Sequence, residues 1–212
     1  YRIHEKPDEE KIKELNKYLF NFGYRIKGKL DDIKPKAFSQ ILEDVKGKEE
    51  ERVVSNLLLR TLKVARYEAE NKGHFGISSK YYCHFTSPIR RYPDLFIHRV
   101  ISKYLAGEYN ISETMKEKFE KQAEKYSITS SECEQIATKA ERESEDIKKA
   151  EYMQSKIGEE YTGIISSITS FGMFVELEST VEGLVRLADM KDDYYIYDDI
   201  NKPVSYTHLT LP

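Results

Sequence analysis

Phosphate-binding groups are concentrated in residues 84–94, whose sequence is HFTSPIRRYPD. Two adjacent arginines, Arg90 and Arg91, lie between two prolines, and the fixed φ angle of proline limits the conformations open to the loop. A guanidinium group donates paired hydrogen bonds to phosphate oxygens, which a lysine ammonium does not. The hydroxyls of Thr86 and Ser87 are further donors. The segment therefore predicts a loop that clamps a phosphate group.

The helix predicted after this loop begins at Pro93 and adds an acid and an imidazole. Asp94 and His98 are four residues apart, so the carboxylate is predicted to orient the imidazole. Such a cluster would stabilise charge that develops on a scissile phosphate. From the residues alone an alternative stays open, in which Arg90 and Arg91 form ordinary ion pairs and His98 is an ordinary helix residue. The chain has no G-x-S-x-G motif, so the serine-nucleophile type of hydrolase is not indicated.

The charge of the chain is distributed unevenly. Residues 84–103 contain four basic residues and one acid, a local charge of +3 within a chain of 212 residues whose formal net charge is −3. A local cationic patch favours a polyanionic partner, although a solvated helix face has a similar composition.

Cysteine usage and hydropathy narrow the class of protein. Cys83 and Cys133 lie far apart and form neither a disulfide framework nor a zinc-ligand pattern, which predicts a reducing compartment and a cytoplasmic protein. No apolar run approaches the ~20 residues that a membrane span needs, so no membrane association is expected. The amino terminus has no leading methionine and no signal-peptide pattern, which is typical of a chain that starts within a longer protein.

Hydrophobic periodicity predicts that the first two-thirds of the chain are mostly helical. Helices are predicted over residues 7–23, 34–47, 49–71, 93–107 and 112–156. The third is predicted to bury Val54, Leu57, Leu58, Leu62 and Ala65. The last carries a stripe of Cys133, Ile136, Ala137, Ala140 and Ile147. Glycines and aromatic residues between the third and fourth helices predict short extended segments and a loop.

From residue 157 the composition changes to β-branched and aromatic residues with alternating polarity. Strands are predicted near residues 161–168, 173–177 and 183–187, with a turn at 170–172. Consecutive antiparallel strands of this kind begin a small OB-type barrel, so the fold class is α+β with a boundary near Gly158. Barrels of this type bind single strands by stacking bases on aromatic side chains beside cationic groups. Tyr161, Phe171 and Phe174 fit this role with Arg186 as the cation; the alternative for the aromatic residues is burial in a small core.

Several segments resemble one enzyme family. GHFG at residues 73–76 and YYCHFTSPIRRYPDLFIHR at 81–99 resemble the signature near the end of the catalytic domain in the ribonuclease II/ribonuclease R family of processive 3′→5′ exoribonucleases. YRIHEKP at residues 1–7 and AERESEDI at 140–147 resemble the same family in the same order, and RRYPDL is nearer to the ribonuclease R form of the motif. The run from residue 162 to 185 resembles the RNA-binding domain first described as a repeat in the largest protein of the small ribosomal subunit.

The resemblance implies roles for individual residues. Arg90 matches the family arginine that contacts the phosphate next to the scissile bond, and Glu141 matches a glutamate that lines the RNA channel. For Glu141 the alternative is one more exposed acid in a charged helix. The residues implied to surround the phosphate loop are His84, Thr86, Ser87, Arg91 and Tyr92, with Asp94 and His98 in support.

One part of the family pattern is absent. The aspartates that bind metal in this family lie upstream of the YRIHEKP landmark, whereas Asp31 and Asp32 follow it and lack the flanking pattern. The expectation is therefore an exonuclease fragment: residues 1–156 from the catalytic domain, 157–203 from a truncated OB domain, and 204–212 a non-native tail. The intact enzyme would use Mg²⁺, bind single-stranded RNA as a monomer and release nucleoside monophosphates, while this chain alone would be inactive. The alternatives are a non-catalytic RNA-binding module and a helical scaffold.

Overall fold

The computed structural model describes residues 1–28, 33–48, 50–107 and 109–191. Asp31, Asp32 and the predicted tail at 204–212 lie outside these residues. The chain divides into two compact units, one over Tyr1–Arg142 and a second that begins at Glu143. Helices and small antiparallel sheets make up the described residues, which is the predicted α+β class. None of the described helices has the length and apolar character required to cross a membrane.

The first three helices enclose the core of the first unit. They are α1 (Glu9–Asn21), α2 (Pro35–Val45) and α3 (Glu51–Thr61). Apolar residues at helical spacing point to one another across the three helices and are almost fully buried. These residues include Ile12, Leu15, Leu19, Phe38, Ile41, Val45, Val54 and Leu58. Burial of such side chains stabilises the unit by ~1.5–3 kcal/mol each, so this core holds the remaining segments in place.

The third helix is shorter than its periodicity predicts. It ends at Thr61, and Leu62 adopts an extended conformation with φ −71° and ψ 149°. The chain then forms strand β2 (Arg66–Tyr67), which pairs antiparallel with β1 (Arg2–Ile3). The predicted extension to residue 71 is therefore wrong, because pairing with the amino terminus overrides the local helical pattern. This pairing brings Tyr67 beside the loop that carries the arginines.

Two further helices carry the predicted phosphate loop and the wall opposite it. Helix α4 spans Tyr92–Ala106 and α5 spans Glu113–Gln154, in agreement with the predicted bounds. They meet through edge-to-face aromatic contacts of Tyr126 with Tyr92 and Phe96, at ring-centroid distances of 4.8 and 5.4 Å. The predicted apolar stripe of α5 is not buried, since Ile136 is 69% exposed.

The second unit contains a three-stranded antiparallel sheet in the order predicted. The strands are β3 (Gly163–Thr169), β4 (Gly172–Leu177) and β5 (Glu182–Arg186). Glycine is required at position 172, where an added Cβ would lie 2.3 Å from the carbonyl oxygen of Val185. The close approach of β4 and β5 at this point places the residues at the start of β4 beside the end of β5.

Candidate nucleic-acid interface

The loop before α4 is a tight turn, which we call the Arg90 turn (residues 87–91). The backbone amides of Arg90 and Arg91 both donate to the carbonyl oxygen of Ser87, at 3.3 and 3.0 Å. Pro88 occupies the second position of this turn, where its fixed φ angle is favourable. The sequence Ser-Pro-Ile-Arg therefore forms the turn locally, and α4 begins two residues later with Pro93 in its first turn.

Asp94 holds the turn from inside. Its side chain is fully buried, and its Oδ2 atom accepts hydrogen bonds from the Ser87 amide at 2.8 Å and from Arg91 Nη2 and Nε at 2.7 and 3.1 Å. A buried carboxylate is costly unless it is paired, and here the guanidinium and the helix N-terminus compensate its charge. Arg91 is thus committed to Asp94, with only 20% of its side chain exposed. Arg91 locks the turn instead of facing the solvent.

Arg90 is arranged differently from its neighbour. Its side chain is exposed, and no residue of the described ranges forms a hydrogen bond or ion pair with it. Ile89 beside it is 97% exposed, and Thr86 is exposed as well. Of the two arginines, only Arg90 therefore presents a guanidinium that is free to bind an anion.

The predicted contact between Asp94 and His98 does not form. The His98 imidazole stacks on Phe85, with 4.2 Å between ring centroids, and its Nε2 lies 2.8 Å from the Phe85 carbonyl oxygen. Because a carbonyl oxygen only accepts, Nε2 is the donor in this hydrogen bond. Asp94 is turned toward the Ser87 amide and Arg91, so His98 supports the segment before the turn through Phe85.

His84 lies behind the turn in an aromatic cluster. Its Nδ1 is 2.9 Å from the Tyr67 hydroxyl, and its ring makes edge contacts with Tyr67 and Tyr82. Burial, followed by the nearby Arg91 and Arg2 guanidiniums, lowers the pKa of His84 below its usual 6.5. The imidazole is therefore neutral at pH 7 and acts as a packing and hydrogen-bonding group.

A groove of about 590 Å³, the α5 groove, separates the Arg90 turn from helix α5. Tyr67, the two arginines, Tyr92 and Pro93 line one side of it. The α5 side consists of Tyr126, Thr129, Ser130, Cys133, Glu134 and Ala137. The carboxylate of Glu134 is paired with Arg2, so it does not oppose the charge of Arg90 directly.

Sequence reasoning missed four residues on the α5 side of this groove, Tyr126, Thr129, Ser130 and Glu134. They carry no motif of their own, and only the crossing of α4 and α5 brings them opposite Arg90. Glu141 is exposed and lies one turn beyond Ala137 on the same side of α5, outside the groove itself.

Of the four residues predicted to bind RNA in the second unit, the sheet brings three close together: Phe171, Phe174 and Arg186. In the strand register Gly172 is opposite Arg186 and Phe174 is opposite Leu184, so Phe174 and Arg186 share one face of the sheet. Phe171 is 57% exposed and contacts Phe174 edge to face, at 6.3 Å between ring centroids. For Phe171 the alternative of burial is thus excluded. We call Phe171, Phe174 and Arg186 the aromatic sheet face.

Tyr161 lies apart from this trio. It is 46% exposed and hydrogen-bonds to Glu159 through its hydroxyl. Together with Phe174 it lines a groove of about 850 Å³ formed by β4, β5 and the end of α5. In the strand register Glu176 lies directly opposite Glu182, at the end of the sheet away from Arg186, so that end of the sheet is acidic.

Magnesium is the metal implied by the family resemblance, and hard cations require several oxygen ligands. In residues 1–28, 33–48, 50–107 and 109–191 no group of three or more His, Cys, Asp or Glu side chains is arranged to hold a metal ion. The described residues therefore do not fit a magnesium site, and we assign no catalytic step through a metal to them.

Comparison with family models shows two matches. The RNB domain matches residues 1–107, and the S1 RNA binding domain matches residues 154–208. The first match contains β1, α1 to α3, the Arg90 turn and α4, and the second contains the three-stranded sheet.

The chain is also similar to whole proteins. It is 44% identical over 199 residues to Ribonuclease R 1 of Lactococcus lactis subsp. lactis (strain IL1403), covering 94% of this chain and 24% of that protein. It is 46% identical over 200 residues to Ribonuclease R of Aquifex aeolicus (strain VF5), covering 94% of this chain and 28% of that protein. Among solved structures, Mycoplasma genitalium RNase R in complex with ribose methylated single-stranded RNA matches with a TM-score of 0.88 at 30% identity, covering 95% of this chain and 32% of that one. The chain thus spans about a quarter of the length of these curated relatives.

Proposed function

The chain belongs to the RNB-domain family of ribonuclease R, and from that membership we propose that it is part of a 3′→5′ exoribonuclease acting on single-stranded RNA. The proposed reaction is processive hydrolysis that releases nucleoside monophosphates. The observation that carries the proposal is the free Arg90 guanidinium on a turn held by a buried carboxylate. The related RNase R solved with single-stranded RNA supports the choice of substrate.

Arg90 would bind the phosphate at the 3′ end of the RNA. Its N–H groups would donate to the non-bridging phosphate oxygens and would stabilise the extra negative charge that develops there during hydrolysis. Because Asp94 and Arg91 already hold the turn, little conformational entropy would be lost when Arg90 engages the phosphate. Glu141, on the same side of α5 as the groove, would line the path of the RNA.

Magnesium is part of this proposal. When bound, it would supply the activated water and the charge neutralisation that phosphodiester hydrolysis requires. Its ligands would come from residues outside the described part of the chain. The described residues would contribute substrate binding and orientation.

The aromatic sheet face would bind the RNA at a second place. Bases stack on exposed aromatic rings without regard to sequence, and Arg186 beside them would contact phosphate or stack itself. The S1 match over the same residues supports this assignment. Two exposed free cysteines favour a reducing compartment, so we propose that the enzyme is cytoplasmic. We also propose that it acts as a monomer.

The test is digestion of single-stranded RNA in Mg²⁺ by this chain and by a longer form with additional residues before Tyr1. We expect only the longer form to shorten RNA from its 3′ end. In that form Arg90→Ala should lower the rate by about 10²–10³, the effect of removing one charge-stabilising donor. Arg60→Ala, which removes an exposed arginine of α3, is the matched control and should leave the rate unchanged.

Two results would contradict the proposal. A near-normal rate for Arg90→Ala would remove Arg90 from the chemistry. Digestion by this chain alone would show that its own residues hold the metal.

A further inference from the structure

Ser130 differs from the other hydroxyl residues around it on α5. Serine and threonine within a helix usually bond to a backbone carbonyl one turn earlier. Ser127, Thr129 and Ser131 do so, donating to the carbonyl oxygens of Glu124, Lys125 and Ser127. Ser130 is half-buried and lines the α5 groove, yet its hydroxyl has no hydrogen-bond partner in the described part of the chain.

Among the described residues, the charged side chains that line or adjoin the groove leave one ionic group free to bind a ligand. Asp94 neutralises Arg91, and Arg2 is paired with Glu134. Arg90 is then the cation available to a ligand, and the α5 wall opposite it is neutral and polar. A volume of about 590 Å³ falls within the range of small-molecule sites, ~300–1,000 Å³, and admits a nucleotide.

We propose that the α5 groove holds a ribonucleotide, with its phosphate on Arg90 and its ribose 2′-hydroxyl hydrogen-bonded to the Ser130 hydroxyl. The inference rests on the proposed function, because it assumes that Arg90 binds RNA phosphate. Arg90 itself cannot distinguish RNA from DNA, since both carry the same phosphate. A 2′-hydroxyl both donates and accepts, and so does a free serine hydroxyl, so Ser130 supplies the discrimination.

Cys133 provides a direct reporter of the groove. It is exposed and lines the groove one turn from Ser130, whereas Cys83 is exposed but does not line it. Alkylation of each thiol of this chain by iodoacetamide can be followed separately by peptide mass spectrometry. We expect a short oligouridylate to slow alkylation of Cys133 and not of Cys83. An oligodeoxyuridylate of equal length should need a higher concentration for the same protection.

The variant Ser130→Ala tests the contact. It should raise the oligouridylate concentration needed for half-protection of Cys133 by about two- to tenfold, the value of one net hydrogen bond. The oligodeoxyuridylate concentration should not change. Thr114→Val is the matched control, because it removes an exposed hydroxyl about four and a half turns earlier, on the opposite side of α5, and should change neither value.

The outcomes separate this inference from the proposed function. Suppose that Arg90→Ala abolishes the protection of Cys133. If that protection is nevertheless equal for both oligonucleotides, or is unchanged by Ser130→Ala, the role of Ser130 is overturned and Arg90 remains the phosphate clamp. Equal protection of Cys83 and Cys133, or none despite RNA binding in fluorescence anisotropy, overturns the groove as the binding site. Absence of any RNA binding by the chain contradicts both proposals.

Discussion

The Arg90 turn and the aromatic sheet face are both proposed to contact RNA, but they are built in opposite ways. In the turn, the fully buried Asp94 pairs with Arg91, and this contact holds the backbone that carries Arg90 in place. On the sheet, Phe171 is more than half exposed and contacts its neighbour Phe174 edge to face. A group that must meet one phosphate needs a rigid support, whereas a ring that stacks on any base tolerates a looser one. The difference predicts that loss of the side chain that supports the turn, Asp94, affects stability and that loss of an aromatic ring on the sheet affects affinity.

The largest stability effect is expected at Asp94. Asp94→Ala should lower the free energy of unfolding of the first unit by about 3 kcal/mol, because it leaves the Arg91 guanidinium and the Ser87 amide without their acceptor. Urea denaturation followed by circular dichroism measures this change. Arg90→Ala is the control, with an expected change within about 0.5 kcal/mol. If the two variants are equally stable, the turn is not held by Asp94 and the contrast with the sheet fails.

A somewhat smaller effect, on affinity, is expected at the sheet. Phe171→Ala should weaken binding of single-stranded RNA by about 1–3 kcal/mol, the value of one stacked base, with little loss of stability. Fluorescence anisotropy with a labelled oligonucleotide measures the affinity. Phe20→Ala is the matched control, since Phe20 on α1 is 77% exposed and far in sequence from both regions that are proposed to bind RNA. Unchanged affinity for Phe171→Ala would mean that the exposed ring is not a stacking platform.

The smallest expected effect is the loss of stability of the first unit at acidic pH. Burial is the largest cause that lowers the pKa values of His4, His74 and His84 below the usual 6.5. The unfolded chain therefore binds more protons than the folded chain below about pH 6.5, so the stability of the first unit is full at pH 7 and decreases as the pH falls through the lowered pKa values. The described residues of the second unit, 143–191, contain no histidine.

Urea midpoints at pH 7 and pH 5.5, followed by NMR signals from each unit, test this difference. The midpoint of the first unit should fall more than that of the sheet. An equal fall of the urea midpoint in both units would mean that His4, His74 and His84 do not cause the acid sensitivity.

Much of the architecture was predictable because its signals are local. Helices α1, α2, α4 and α5 follow apolar periodicity with proline near the start or glycine near the end, and the strand order of the second unit follows alternation and turn residues. The prediction for α3 failed where Leu62 and Ala65 continue the helical period. The competing partner of that segment is β1, more than sixty residues away in sequence, and no window around α3 contains it.

For the Arg90 turn, the sequence predicted which residues are present but not which of them contact one another. Spacing of four residues favoured a contact between Asp94 and His98, but Asp94 Oδ2 accepts from the Ser87 amide and Arg91, and the His98 imidazole bonds to the Phe85 carbonyl. A buried carboxylate binds the donors that most reduce its cost of burial, and a guanidinium together with a backbone amide does this better than a single imidazole.

The sequence by itself determined the α+β class and the family, and it predicted a phosphate-binding role for residues 84–94, because residue type and short-range spacing carry this information. Only the tertiary structure decided which of two identical side chains is free. Asp94 lies three residues after Arg91, within reach across the first turn of α4, and this contact leaves Arg90 facing the α5 groove. The groove likewise depends on helices that meet through aromatic contacts thirty or more residues apart, a distance at which sequence patterns carry no direct signal.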